Sequence, residues 1–79
     1  MTIKITIKNA AESSVMNAEM ESTDSVGDIL DYAAQYWNSD RDAYVMKIGS
    51  RLIPANATVG ELGLSDGDTV VIVPDPQGG

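Results

Sequence analysis

The chain has no cysteine. That excludes a disulfide scaffold, a thiolate metal site and a cysteine nucleophile, and it fits a reducing, cytoplasmic compartment. It has no histidine either, so the usual general base and commonest metal ligand near neutral pH is missing. Cations are scarce: five Lys plus Arg stand against twelve Asp plus Glu, for a net charge of −7. Phosphate backbones repel such a chain, and five cations cannot build a basic stripe, so nucleic acid is not an expected ligand. An acidic surface instead favours solubility, a monomer, and encounter with basic partners. No apolar run approaches the ~20 residues of a membrane helix. The opening stretch MTIKITIKNA lacks the apolar core and small-residue cleavage site of a signal peptide. Paired carboxylates placed for acid–base work are also absent, which makes an autonomous enzyme the least expected class. The run Ser65, Asp66, Gly67, Asp68 lacks the spacing and closing glutamate of a calcium loop and reads as a turn. No metal and no cofactor are expected.

What is present is enough for one domain of 79 residues. A chain of this size buries somewhat over ~60% of its unfolded surface, which allows one modest core. Ile3, Ile5 and Ile7 alternate with Lys4, Thr6 and Lys8, the period-two pattern of a half-buried strand. Asn9 to Ser13 reads as a turn. Ser14 to Glu21 alternates again, with Met16, Ala18 and Met20 on one face, so the two runs form an antiparallel hairpin. Ser25 is a helix N-cap, and Asp28 three residues on gives a variant capping box. Val26, Ile29, Leu30, Ala33 and Trp37 trace one buried helical stripe, and the helix ends near Asn38. Tyr36 and Trp37 read as aromatics that close the core. A loop over 38–42 leads to a third strand, Tyr44 to Ile48. A Gly49–Ser50 turn follows, then a short fourth strand, Arg51 to Ile53, which Pro54 ends. Thr58 to Leu64 reads as a capped helical turn before the last strand.

That last stretch, TVVIVPDPQGG from Thr69 to Gly79, begins as a strand of consecutive β-formers and then stops being one. Pro74 and Pro76 each remove a backbone donor. Asp75 precedes a proline and is pushed to an extended conformation. Residues 1–73 are therefore expected to form the domain, and residues 74–79 a flexible tail. Four apolar residues in succession, Val70 to Val73, predict a central strand with both faces in use. With Val70 and Ile72 turned to the helix, Val71 and Val73 point away from it. On the third strand the same reading turns Val45 inward and Met46 outward. Met46, Ile48, Val71 and Val73 then form an apolar spot on the uncovered face, read either as a partner-binding patch or as ordinary strand composition.

The order of strands and helix, the glycine positions and the diglycine end together resemble ubiquitin and its β-grasp relatives over nearly the whole chain. The segments that carry the resemblance are Met20 to Ile29, Tyr44 to Ile53 and Thr58 to Thr69, with gapless spacing from Thr58 to Gly79. The implied fold is α+β: a mixed sheet packed on one helix, ββαββ with a short helical turn before the last strand. The implied role is a modifier attached to other proteins, nearest to the bacterial ubiquitin-like branch. An E1-like activating enzyme adenylates the Gly79 carboxylate, which passes to cysteine as a thioester. An E2-like conjugating enzyme then delivers it to amines of target proteins, and a deconjugating protease reverses the linkage. By the same resemblance Gly78 and Gly79 thread a narrow channel in which a Cβ clashes. Pro74, Asp75, Pro76 and Gln77 form the segment an activating enzyme reads. Asp75 and Gln77 stand in the tail where ubiquitin carries arginines, which implies a dedicated activating enzyme. Met46, Val71 and Val73 fall on positions of the family's hydrophobic recognition patch. Lys4, Lys8 and Lys47 are the only lysines and hence the only acceptor lysines for chains, with Ser50 at the position of ubiquitin's best-known chain-forming lysine.

Two other functions share this framework. Sulfur carriers have the same fold and diglycine, and turn the activated carboxyl into a thiocarboxylate. Non-covalent ubiquitin-like modules have the fold and stop at the last strand. Removing Gly78 and Gly79 separates a module, which keeps working, from the other two.

Overall fold

The computed structural model describes residues 2–75. Five strands form one sheet: β1 (Thr2–Asn9), β2 (Ser14–Glu21), β3 (Tyr44–Ile48), β4 (Arg51–Ile53) and β5 (Thr69–Pro74). One helix, α1 (Val26–Tyr36), covers one face, and a 3-10 turn (Arg41–Ala43) leads into β3. The strand order is β2-β1-β5-β3-β4. β1 and β5 run parallel; the other pairs are antiparallel. The last strand is thus central, as its unbroken apolar run requires.

Alternation decides what each strand buries. Ile5 and Ile7 of β1, Ala18 and Met20 of β2, and Val70 and Ile72 of β5 all point at the helix and are buried. Val26, Ile29, Leu30 and Ala33 meet them from α1. Full burial of an aliphatic side chain of this size contributes about 1.5–3 kcal/mol, so this single layer dominates the stability. Trp37 closes its edge, partly buried, with its indole N–H donating to Ser14 Oγ at 2.7 Å. Tyr36 does not join the core: it is exposed and meets the Trp37 ring edge-on. Facing aside from the helical stripe, it has no apolar surface to cover.

The helix is fixed at both ends. Ser25 Oγ accepts from the Asp28 N–H at 3.1 Å, and Asp28 Oδ2 accepts from the Ser25 N–H at 3.0 Å. Aspartate completes the capping box although its side chain is shorter than the usual glutamate. At the other end Asn38 takes φ +54. The Ser39 N–H reaches Ala34 O at 2.7 Å and the Asn38 N–H reaches Gln35 O at 3.4 Å, which closes a Schellman motif. The expected loop over 38–42 tightens into the 3-10 turn.

Two loops are tied down by side chains. Asn9 is fully buried, and its Oδ1 accepts from the N–H groups of Ala11 at 3.0 Å and Glu12 at 3.3 Å. It holds the β1–β2 turn closed, in which Ser13 has φ +53. In the 58–64 segment Thr58 Oγ1 accepts from the Glu61 N–H at 3.1 Å, and Glu61 Oε1 accepts from the Thr58 N–H at 2.9 Å. This is a second capping box, on the single turn expected there. It folds Val59 and Leu64 into the core. Ser65–Asp68 is a turn, bound to β1 by Asp66 Oδ1, which accepts from the Lys4 N–H at 2.7 Å.

Candidate functional site

Among the described residues nothing covers the face of the sheet opposite α1, and β5 runs through its middle. The ladder sets who stands beside whom. Val71 pairs with Lys8 on one side and with Lys47 on the other. Val73 pairs with Val45. Lys47 in turn faces Leu52 on β4, and Lys8 faces Val15 on β2. Val71, Val73 and Val45 are half-buried, whereas Val15 and Leu52 are 55% and 61% exposed. The result is an apolar strip along β5 and β3, with ammonium groups on both sides of Val71. Their strands stand two spacings apart, about 10 Å.

This geometry corrects the sequence reading of β3. Met46 is fully buried, pairs with Ile72 and belongs to the core. Ile48 shares its parity and packs against the core from the end of β3. Val45, read as inward, is the residue that faces outward. The physical reason lies in Lys47. A lysine resists burial without a partner, so it fixes the outward phase of β3 and turns Tyr44, Met46 and Ile48 the other way. Leu52 and Val15 were missed. The ladder from Lys47 to Leu52 was the available signal for one, and the alternation of β2 for the other.

All three lysines lie on this open face. Lys4 and Lys8 are exposed and Lys47 is half-buried. Lys4 stands opposite Glu19, so a carboxylate faces it, whereas the cross-strand neighbours of Lys8 and Lys47 are apolar. In a chain of net charge −7, the open face is where cations concentrate.

β5 delivers the C-terminal segment from the centre of the sheet. Pro74 is still in the strand, opposite Tyr44, and the Asp75 N–H donates to Ala43 O at 2.9 Å. The ordered ladder therefore extends past residue 73, and two residues assigned to the tail are held to the body. Proline is tolerated there because its position ends the strand and needs no donor. Pro76, Gln77, Gly78 and Gly79 lie outside the described residues. Among the described residues no helix is long and apolar enough to cross a membrane, and no group of three or more acidic side chains is placed to hold a metal ion.

No family model matches the chain, and no curated protein matches it either. Solved structures do. The ubiquitin of Caldiarchaeum subterraneum superposes with a TM-score of 0.87 at 24% identity, covering 100% of both chains. The UBL domain of Plasmodium falciparum Dsk2 gives 0.85 at 17% identity, over 95% of this chain and 100% of that one. A chain of the pParkin–pUb–UbcH7 complex gives 0.84 at 11% identity, over 94% of this chain and 23% of that one. At these identities the likeness speaks for architecture alone. The chain has the ubiquitin-like β-grasp fold: a mixed five-stranded sheet packed on one helix.

Proposed function

We propose that the chain is a ubiquitin-like protein modifier, joined to its targets through the carboxylate of Gly79. The observation that carries this reading is the course of β5. A strand locked between β1 and β3 ends at Pro74 and continues as Asp-Pro-Gln-Gly-Gly. A rigid body thus presents a short segment whose last two residues have no side chain.

The chemistry follows from the weakness of a carboxylate as an electrophile. An E1-like activating enzyme transfers AMP from ATP to the Gly79 carboxylate and releases pyrophosphate. An enzyme cysteine displaces AMP and forms a thioester. An E2-like conjugating enzyme receives the acyl group by exchange of thiols, and a target amine displaces the thiol to leave an amide. The chain contributes no catalytic group to these steps. Its residues Pro74, Asp75, Pro76 and Gln77 supply the segment the activating enzyme reads, and the prolines lessen the entropy lost on threading. A deconjugating protease would cut the same amide after Gly79. The open face, with Val71 between Lys8 and Lys47 and with Val45, Val73 and Leu52 beside them, docks the partner proteins. Lys4, Lys8 and Lys47 are the acceptors for chain growth. Since all three stand on the docking face, a copy linked there covers it.

Mass spectrometry of conjugates from the native host tests the reading. The last basic residue is Arg51, so trypsin leaves an unwieldy remnant. A protease that cuts before aspartate leaves Asp-Pro-Gln-Gly-Gly on the acceptor. That remnant on lysines of other proteins is the expected result. Free chain alone, with a terminal oxygen replaced by sulfur, would make it a sulfur carrier instead.

A further inference from the structure

The sheet has two edges, and they are finished differently. β4 is three residues long, and Pro54 follows it. β2 runs for eight residues and has no proline, no lysine and no bulge, the devices that blunt an edge. The bonds of β1 fix which way the backbone of β2 faces. The Thr6 N–H donates to Asp68 O at 2.9 Å, the Ala10 N–H to Ile72 O at 3.1 Å, and Lys4 O accepts from the Gly67 N–H at 2.8 Å. The even residues of β1 thus serve the β5 side, and the odd ones turn to β2. By register these meet Ser14, Met16, Ala18 and Met20. Val15, Asn17 and Glu19 therefore direct N–H and C=O outward. Glu21 does the same but is closed off: the Asp24 N–H donates to its carbonyl at 3.0 Å, and Asp24 Oδ2 accepts from its N–H at 2.8 Å. Among the described residues nothing pairs with the outward groups of Val15, Asn17 and Glu19.

Donors and acceptors thus repeat at every second residue, about 7 Å apart along one line. The ligand that matches such a repeat is another extended backbone. An apolar shelf flanks the edge on the helix side. Ser14 Oγ accepts from the Trp37 indole N–H, Met16 is half-buried two residues on, and the exposed Tyr36 meets the Trp37 ring edge-on. On the other side stand Val15, Asn17, Glu19 and Glu21, all exposed. Of the two carboxylates, Glu19 has Lys4 across the ladder, whereas Glu21 stands opposite Thr2. A second copy would bring the same carboxylates to the same edge and set −7 against −7, which disfavours self-pairing. A basic segment is instead drawn in by both the edge and the net charge.

We infer that the outer edge of β2 docks an extended basic segment of a partner protein, which joins the sheet as a sixth strand. Its backbone pairs with Val15, Asn17 and Glu19. Its apolar side chains lie over Met16 and Trp37, and the alternate, basic ones beside Glu19 and Glu21. The edge stands two strands from β5, and its use does not depend on attachment through Gly79.

The test is amide hydrogen exchange and NMR titration of the full chain with a capped Val-Lys-Val-Lys-Val-Lys peptide and its Val-Glu counterpart, repeated on Asn17→Pro. In the free chain the amides of Val15, Asn17 and Glu19 should exchange faster than those of Met16 and Ala18. The Val-Lys peptide should slow and shift those three most, and bind tighter than the Val-Glu peptide. Asn17→Pro removes one outward donor at an edge position that tolerates proline, and should lower affinity about two- to tenfold. Its own spectrum reports whether it folds, and exchange in the unaltered chain decides the matter without it. Equal exchange along β2, edge protection in the free chain that rises with its concentration, or equal affinity for the two peptides would each overturn the assignment. So would shifts centred on Val71 and Lys47, unchanged affinity in a folded Asn17→Pro, or no binding.

Discussion

The two faces of the sheet are built from the same strands, one residue apart, and they do opposite work. On the helix side Ile7, Val70, Ile72 and Met46 are excluded from water. On the other side their immediate neighbours Lys8, Val71, Val73 and Lys47 remain within reach of solvent. The comparison teaches that burial and exposure alternate here at single-residue resolution, so the recognition proposed for the open face can be altered without touching the core. Stability is concentrated where a side chain has apolar neighbours all round. The recognition we propose falls to residues that the fold supports without needing them.

Substitutions that exchange the roles of the faces break the comparison most sharply. Met46→Ala opens a cavity against Ile72 and Ile53 and should cost about 2–5 kcal/mol, read as a lowered denaturant midpoint. A cost near zero would mean that β3 has the opposite phase. Asn9→Ala comes next. It strips the acceptor from the Ala11 and Glu12 N–H groups at the end of the hairpin, and about 1–3 kcal/mol is expected, measured the same way. Ser25→Ala removes one half of the helix capping box and should cost about 1 kcal/mol. Ser25→Asp retains an acceptor and should recover most of it. At the small end, Leu52→Ala on the open face should change stability by no more than about 0.5 kcal/mol, yet reduce capture of partners docked there. A large loss of stability from Leu52→Ala would show that the two faces are not separable after all.

Much of the architecture was legible in the sequence because its signals are local and repeated. The isoleucines of β1, the stripe from Val26 to Ala33, and the two Ser/Thr-led caps each follow from a period or a spacing. Four apolar residues in β5 sufficed to place it at the centre. What failed has a physical cause in each case. The phase of β3 was set by turning Val45 inward without weighing Lys47, and a slip of one residue moves every side chain to the other face. The role of Asn9 needs three-dimensional closure, since nothing local says that an asparagine will be buried. Pro74 reads as a strand breaker, but β5 ends there against Tyr44, where no N–H is wanted. Of the segment proposed for conjugation, Pro74 and Asp75 belong to the described structure, and Gly78 and Gly79 lie outside the described residues.

The central claim is that the chain acts by covalent attachment through Gly79. The most direct measurement compares an N-terminally tagged chain with the same chain lacking Gly78 and Gly79, in native-host lysate with and without ATP. Covalent attachment through Gly79 should give tagged species of higher mass that resist boiling in denaturant, require ATP and vanish on removal of the two glycines. Such species persisting in the truncated chain, or none forming with the intact chain and ATP, would contradict it.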